Sequence, residues 1–225
     1  MEQNGKSMKE PNQQEIQNNF KKKYLASIKN NQGFKEINKE SISFIENTIN
    51  SRPAEAVIAC EKGCSYCCSI RVEAFAHEIV GIYEYLNSSL NHQDLLLFKN
   101  KISSASQKNH HLSENQRIIT NITCPLLDDD NHCTVHNIRP ITCAAYHSMD
   151  VKRCIDMFEN PTLTPPTTYY AVINSARDYF YSNYQSVLNS LNHDDSVYEL
   201  TVTLDQLFKN PKFIKRWRKG KKLIP

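Results

Sequence analysis

The stretch that organises this chain is CEKGCSYCC, residues 60–68, in which four cysteines fall within nine positions. Cysteines with two or three residues between them let successive thiolates turn back toward one point, as they do around zinc ions and iron–sulfur clusters. Gly63 suits such a turn because glycine adopts positive φ without strain. Neighbouring side chains tend to point apart. We therefore expect Cys67 and Cys68 either to divide into one ligand and one packed thiol, or to serve two separate ions.

A second group of cysteines follows further along the chain. A cluster of acidic turn residues predicts a hairpin over 124–136, which brings Cys124 and Cys133 close together. Pro140 is typical of the first residue of a helix. It places Cys143 in the first helical turn, where the helix dipole favours a thiolate. The complete predicted set of metal ligands is Cys60, Cys64, Cys67, Cys68, Cys124, Cys133, Cys143 and Cys154.

The expected cellular compartment and the clustering of the cysteines both favour metal ligation over disulfide formation. The N-terminal residues are polar and contain no apolar segment typical of a secretory signal. No apolar run approaches the roughly 20 residues that span a bilayer. We therefore expect a cytoplasmic protein without a membrane partner. In a reducing cytosol, clustered cysteines indicate metal binding or redox chemistry, and thiols that only pack are the weaker interpretation.

Several charged or ionisable residues lie beside the cysteines. His132, His136 and His147 are candidate additional ligands, although histidine is also common in turns and on surfaces. Arg139 is expected to pair with a carboxylate such as Glu78 or to offset the charge of a thiolate cluster. An ordinary surface arginine is the alternative.

The hydrophobic periodicity predicts a mainly α fold, in which a helical domain surrounds an irregular cysteine-rich core with a short β-hairpin. We expect a flexible N-terminus over residues 1–12 and a single domain over 13–225, with the cysteine cluster at 60–154. Gly33 is the predicted left-handed cap of the first helix. The predicted helices comprise two between 13 and 50, one each over 72–90 and 93–106, a short one from Pro140, and C-terminal helices over 167–191 and 197–208 within 167–220. A rigid proline linker is predicted at 161–166.

Taken together, the motifs resemble the CxxCxxCC, or YkgJ-like, family of zinc- or iron-chelating cysteine-cluster proteins. The resemblance covers most of 55–220, and His136 departs from it where an aromatic residue is common. The residues that carry it are Cys60, Cys64, Cys67, Cys68, Glu78, Cys124, Leu126, Cys133, Arg139, Pro140, Cys143 and Tyr146, with the stretch from Glu199 to Gly220. The resemblance implies metal chelation, and a flagellin lysine methylase has a similar cysteine cluster.

Three functions remain open from the sequence. The first is a protein that chelates zinc or iron, favoured as a [4Fe–4S] cluster because the cysteines exceed the four that one structural zinc needs. The second is an iron–sulfur-dependent protein-modifying or redox enzyme related to the methylase. Conventional enzyme motifs are absent from the sequence, so catalysis stays undecided.

The third is a structural zinc module whose basic tail binds nucleic acid or a protein partner. Residues 209–225 contain eight basic residues and no acidic ones. Charge runs are most often solvated surfaces. We therefore prefer a solvated helix with Trp217 anchored in the core, and we do not expect nucleic acid binding.

Overall fold

The computed structural model describes residues 12–163 and 170–225, and their regular structure is mainly helical, as predicted. Most of residues 1–12 and the proline linker around Pro165 lie outside the described ranges. The α-helices are α1 Gln13–Asn30, α2 Phe34–Asn50, α3 Ala76–Ser89, α4 His92–His110, α5 Glu114–Ile118, α6 Ile141–Ala145, α7 Val151–Glu159, α8 Ala171–Ser190, α9 Leu200–Lys209 and α10 Lys212–Trp217. The strands are β1 Glu73–Phe75 and β2 Val197–Glu199, and single turns of 3-10 helix cover Tyr66–Ser69 and His136–Ile138.

Local side chains fix the start and end of the first helix. The Asn12 side chain accepts a hydrogen bond from the Glu15 backbone at 2.9 Å, and the Glu15 side chain accepts one from the Asn12 backbone at 3.1 Å. This reciprocal pair satisfies amides that an uncapped helix leaves unpaired. The predicted cap was wrong by two residues: Asn31, with φ 58°, ends α1, whereas Gly33, with φ 109°, precedes α2. Asparagine tolerates the left-handed region better than most residues do.

One hydrophobic core joins residues from α1 to the C-terminal tail. The helices α2 and α3 cross closely at Gly81, where an added Cβ would lie 2.9 Å from Asn38 Nδ2 and 3.0 Å from the backbone of α2. Trp217 is fully buried beside Phe34, with ring centroids 5.1 Å apart, so the predicted aromatic anchor is confirmed.

Two ion pairs tie the basic tail to the rest of the fold. Arg218 donates to Glu84 at 3.0 Å, and Lys222 lies 3.1 Å from Asp194. The same aspartate accepts a hydrogen bond from the Leu223 backbone at 2.8 Å. Part of the positive charge of the tail is therefore paired within the chain.

Several predicted elements differ in extent from those observed. β1 and β2 pair antiparallel, with Ala74 opposite Tyr198, in segments that the sequence predicted as helical. The predicted hairpin over 124–136 is present as a single antiparallel bridge between Leu127 and Cys133 rather than as two strands. The short helices α5 and α7 were not predicted, because neither is long enough to show a clear period.

No helix within the two described ranges is both long and apolar enough to cross a bilayer.

Candidate metal centre

Backbone hydrogen bonds hold the cysteine loop, residues 60–68, between two other segments of the chain. On one side the Ala59 amide donates to the Ser148 carbonyl at 2.8 Å. On the other side the Cys124 amide donates to the Cys68 carbonyl at 2.7 Å. Gly63 has φ 86°, as the tight turn requires. The loop is therefore fixed at both ends against the segments that carry the second group of cysteines.

A buried carboxylate positions the helix that carries Cys143. Glu78 is 1% exposed, and its two oxygens accept hydrogen bonds from the Ile141 amide at 2.8 Å and the Phe75 amide at 2.9 Å. Burial raises the pKa of Glu78 to about 7. The Ile141 amide is the first of α6, so Glu78 links the start of α3 to the start of the helix that presents Cys143.

The eight cysteines are all free thiols. Six of the others interact electrostatically or through a hydrogen bond with Cys67: Cys60, Cys68, Cys124, Cys133, Cys143 and Cys154. The charge of a thiolate at Cys67 raises the pKa of Cys60, Cys124, Cys133, Cys143 and Cys154. Cys64 influences Cys60 and Cys154 in the same way. The fold therefore brings the predicted residues into one neighbourhood from the loop, the hairpin, α6 and α7.

The adjacent pair at the centre differs from expectation. The Cys67 thiol hydrogen-bonds to Cys68, and this bond is the largest cause that raises the pKa of Cys67. The two side chains therefore interact with each other, and whether one or both of them bind metal stays a prediction. The 3-10 turn over Tyr66–Ser69 has tighter winding than an α-helix, and it sets the relative direction of the two side chains.

Residues 59–164 match the family model CxxCxxCC, whose description is "Putative zinc- or iron-chelating domain". Over these residues, a little under half of the chain, the sequence is similar to the CxxCxxCC family. The matched residues include all eight cysteines. No curated protein and no solved structure matches the chain.

Burial favours the neutral form of Cys124 and Cys143. It raises the pKa of Cys124 to about 12 and that of Cys143 well above its usual range. Cys143 does lie in the first turn of α6, as predicted. Burial is the largest cause that raises the pKa of Cys143, and it opposes the helix dipole; the thiolate at this position stays a prediction for the metal-bound chain.

Arg139 is a positive charge that acts on several of these cysteines. Its charge lowers the pKa of Cys67, Cys133 and Cys143, which supports the predicted role in offsetting thiolate charge; that role stays a prediction. The predicted pairing with Glu78 was wrong. Arg139 instead lies 3.5 Å from Glu46 and donates to the His136 carbonyl at 2.6 Å. Both oxygens of Glu78 already accept backbone hydrogen bonds, which explains the different partner.

The three candidate histidines occupy different environments. His147 is buried, with Nδ1 2.7 Å from the Ala145 carbonyl and Nε2 accepting a hydrogen bond from the Tyr170 amide at 2.8 Å. Both ring nitrogens are therefore used in holding the chain together. His132 lies 3.7 Å from Asp128, and its ring faces the turn at Gly63. His136 is exposed.

The thiols share a neighbourhood without yet forming a complete ligand shell. Across residues 12–163 and 170–225, no three Cys, His, Asp or Glu side chains already stand together as a set that holds a metal ion. Metal ions bind the thiolate form, so metal binding would release the protons of the thiols that become ligands. The donor set itself, which is rich in thiols, fits zinc or iron.

Proposed function

We propose that the CxxCxxCC domain chelates iron through its cysteine thiolates, as a [4Fe–4S] cluster. The observation that carries this proposal is the gathering of thiols around Cys67 from four separate parts of the chain. Iron–sulfur clusters are held by cysteine thiolates, and the domain supplies more thiols than one structural zinc takes. Arg139 supports the proposal because a thiolate-bound cluster carries negative charge that a nearby guanidinium offsets.

Zinc is the second candidate, and one observation favours it. Cys124 and Cys133 both raise the pKa of Cys143, and Cys67 raises the pKa of all three. Four thiolates are the full ligand set of a structural zinc site. Both candidates call for a reducing compartment, since oxidation to disulfides would remove the ligands. The cytoplasm provides such a compartment, and we place the protein there as part of the proposal.

The experiment that tests the proposal is anaerobic purification of the full chain, followed by the visible spectrum and by analysis of iron, acid-labile sulfide and zinc. A brown protein with iron and sulfide in equal amounts supports the cluster. A colourless protein with stoichiometric zinc would refute the iron–sulfur cluster and support zinc binding instead. A folded protein that binds neither element refutes metal chelation.

Site-directed variants then identify the ligands. We expect Cys133→Ser to lower both the bound metal and the melting temperature, because metal-binding free energy becomes folding free energy. Ser65→Ala, within the cysteine loop, is the matched control that removes a hydroxyl and leaves every thiol in place. Unchanged metal content in Cys133→Ser would remove this residue from the ligand set.

A further inference from the structure

The start of α6 is tied to β1 and α3 by two hydrogen bonds. The Ile141 amide donates to Glu78 Oε1 at 2.8 Å, and the Thr142 hydroxyl donates to the Glu73 carbonyl at 3.1 Å. α6 has only five residues, which are too few to hold a helix without tertiary contacts. The position of Cys143 within this helix therefore depends in part on these two bonds.

The Glu78 carboxylate is buried without a counter-charge. Its second oxygen accepts a hydrogen bond from the Phe75 amide at 2.9 Å, so α6 and β1 both reach it through backbone amides. From α8 the groups that face it are Tyr181 and Tyr184, whose pKa values its charge raises. From α2 the Asn38 amide donates to the backbone carbonyl of Glu78 instead of to its carboxylate. Burial and the two backbone hydrogen bonds are the causes that act on the pKa of Glu78.

Protonation changes the hydrogen bonds that this side chain can make. Burial raises the pKa of Glu78 to about 7, because desolvation disfavours the charged form. The neighbouring His77, whose pKa burial lowers to about 3, stays neutral around pH 7. A carboxylate accepts at both oxygens, whereas a protonated carboxyl carries a hydrogen on one of them. One of the two buried amides, that of Ile141 or that of Phe75, then faces a hydroxyl, which is a weaker acceptor.

We propose that Glu78 is a positioning residue of the metal site: as a carboxylate it holds Cys143 in place for the metal, and its protonation weakens metal binding. This inference rests on the proposed function, with Cys143 as one of the ligands. Glu78 acts through the backbone of α6 and does not touch the metal. Because the two equilibria are linked, metal binding favours the ionised carboxylate. Metal affinity is therefore highest above pH 7 and falls as the pH decreases through this value.

The test compares the cobalt(II) affinity of the full, reduced chain at pH 8 and at pH 6, after removal of resident metal. Cobalt binds the same kinds of ligand as zinc and iron, and its thiolate complexes are coloured, so competition with a chelator is followed in the visible spectrum. Glu78→Gln has nearly the same shape and does not titrate. We expect it to bind cobalt about tenfold more weakly than wild type at pH 8. At pH 6 the two should agree within about twofold, because most of the wild-type carboxyl is then protonated. Protonation of the thiols weakens both proteins alike and cancels in the ratio.

Glu84→Gln is the matched control. Glu84 is also a carboxylate of α3 that accepts from two backbone amides at the start of another helix. These are the amides of Gly33 and Phe34 at α2, at 3.1 Å and 3.2 Å. Its replacement should leave the cobalt affinity unchanged at both pH values. Equal weakening by Glu84→Gln and Glu78→Gln would overturn the inference, because a general loss of stability would then explain both.

Three other results would also decide against the inference. Wild-type affinity of Glu78→Gln at pH 8 would overturn the positioning role, and a tenfold ratio that is the same at both pH values would overturn the link to protonation. If Glu78→Gln does not fold, Glu78→Asp decides. It is shorter by one methylene and cannot reach Ile141 and Phe75 together, so wild-type affinity at pH 8 would overturn the role. Each of these results leaves metal chelation intact, whereas a wild-type chain that binds no cobalt, zinc or iron would refute the proposed function itself.

Discussion

Replacing the buried histidine of α3 should leave a clear signature in the pH dependence of stability. His77 is 1% exposed, and neither ring nitrogen has a hydrogen-bond partner among the described residues. Its ring lies among aromatic rings, with centroids 5.2 Å from Phe20, 5.6 Å from Phe75 and 5.2 Å from Tyr184. Burial lowers the pKa of His77 to about 3, so the imidazole stays neutral in the folded chain.

The size of the effect on stability follows from the lowered pKa of His77. In the unfolded chain the pKa of histidine is about 6.5. Its folded value is depressed, so the contribution of His77 to stability is fully present above pH 6.5 and is lost as pH falls toward 3. Each pH unit costs about 1.4 kcal/mol, which amounts to about 2 kcal/mol at pH 5 and almost nothing at pH 8. His77→Phe removes this term, because phenylalanine does not titrate.

Urea unfolding of the reduced, metal-free protein between pH 5 and pH 8 measures the effect. The free energy of unfolding of His77→Phe, relative to wild type, should rise by about 2 kcal/mol from pH 8 to pH 5. Any constant cost of fitting the larger ring cancels in this comparison. His92→Phe, at an exposed position, is the control and should show no such change. A difference between wild type and His77→Phe that is flat across this pH range would refute the reasoning.

Three other predictions concern the thiols, their counter-charge and the packing of α2 on α3. Burial raises the pKa of Cys124 to about 12, above the unfolded thiol value of about 8.5, so its contribution to stability is present below pH 8.5 and lost as pH rises. The melting temperature of the metal-free chain should therefore fall between pH 8 and pH 10, and that of the metal-bound chain should fall less because its thiolates are already deprotonated. Arg139→Gln should weaken metal binding in a chelator competition, and Arg139→Lys should weaken it less because lysine keeps the positive charge. Equal weakening by both variants would assign the effect to the hydrogen bond with the His136 carbonyl instead of to charge. Gly81→Ala should lower the free energy of unfolding by about 1–3 kcal/mol, because the new Cβ would lie 2.9 Å from Asn38 Nδ2, and an unchanged urea midpoint would contradict this close packing.

The sequence by itself determined the features that depend on short spacing. Helical periodicity located α1, α2 and α4 to within a few residues, because a long amphipathic segment repeats its signal several times. The cysteine spacing in residues 60–68 indicated the metal-binding region. Pro140 correctly marked the start of α6, although it precedes the first helical residue instead of occupying it.

Only the tertiary structure decided the features that join distant segments. β1 and β2 are three residues each and lie more than a hundred residues apart, so neither carries enough local pattern to distinguish a strand from a helix end. Glu78 reaches the first amide of α6 only because α2 packs α3 against that segment, where Asn38 donates to the carbonyls of Glu78 at 3.0 Å and Ile138 at 3.1 Å. The sequence identified every cysteine, whereas the approach of the loop, the hairpin, α6 and α7 to Cys67 depends on tertiary packing, because it joins segments that are distant in the chain.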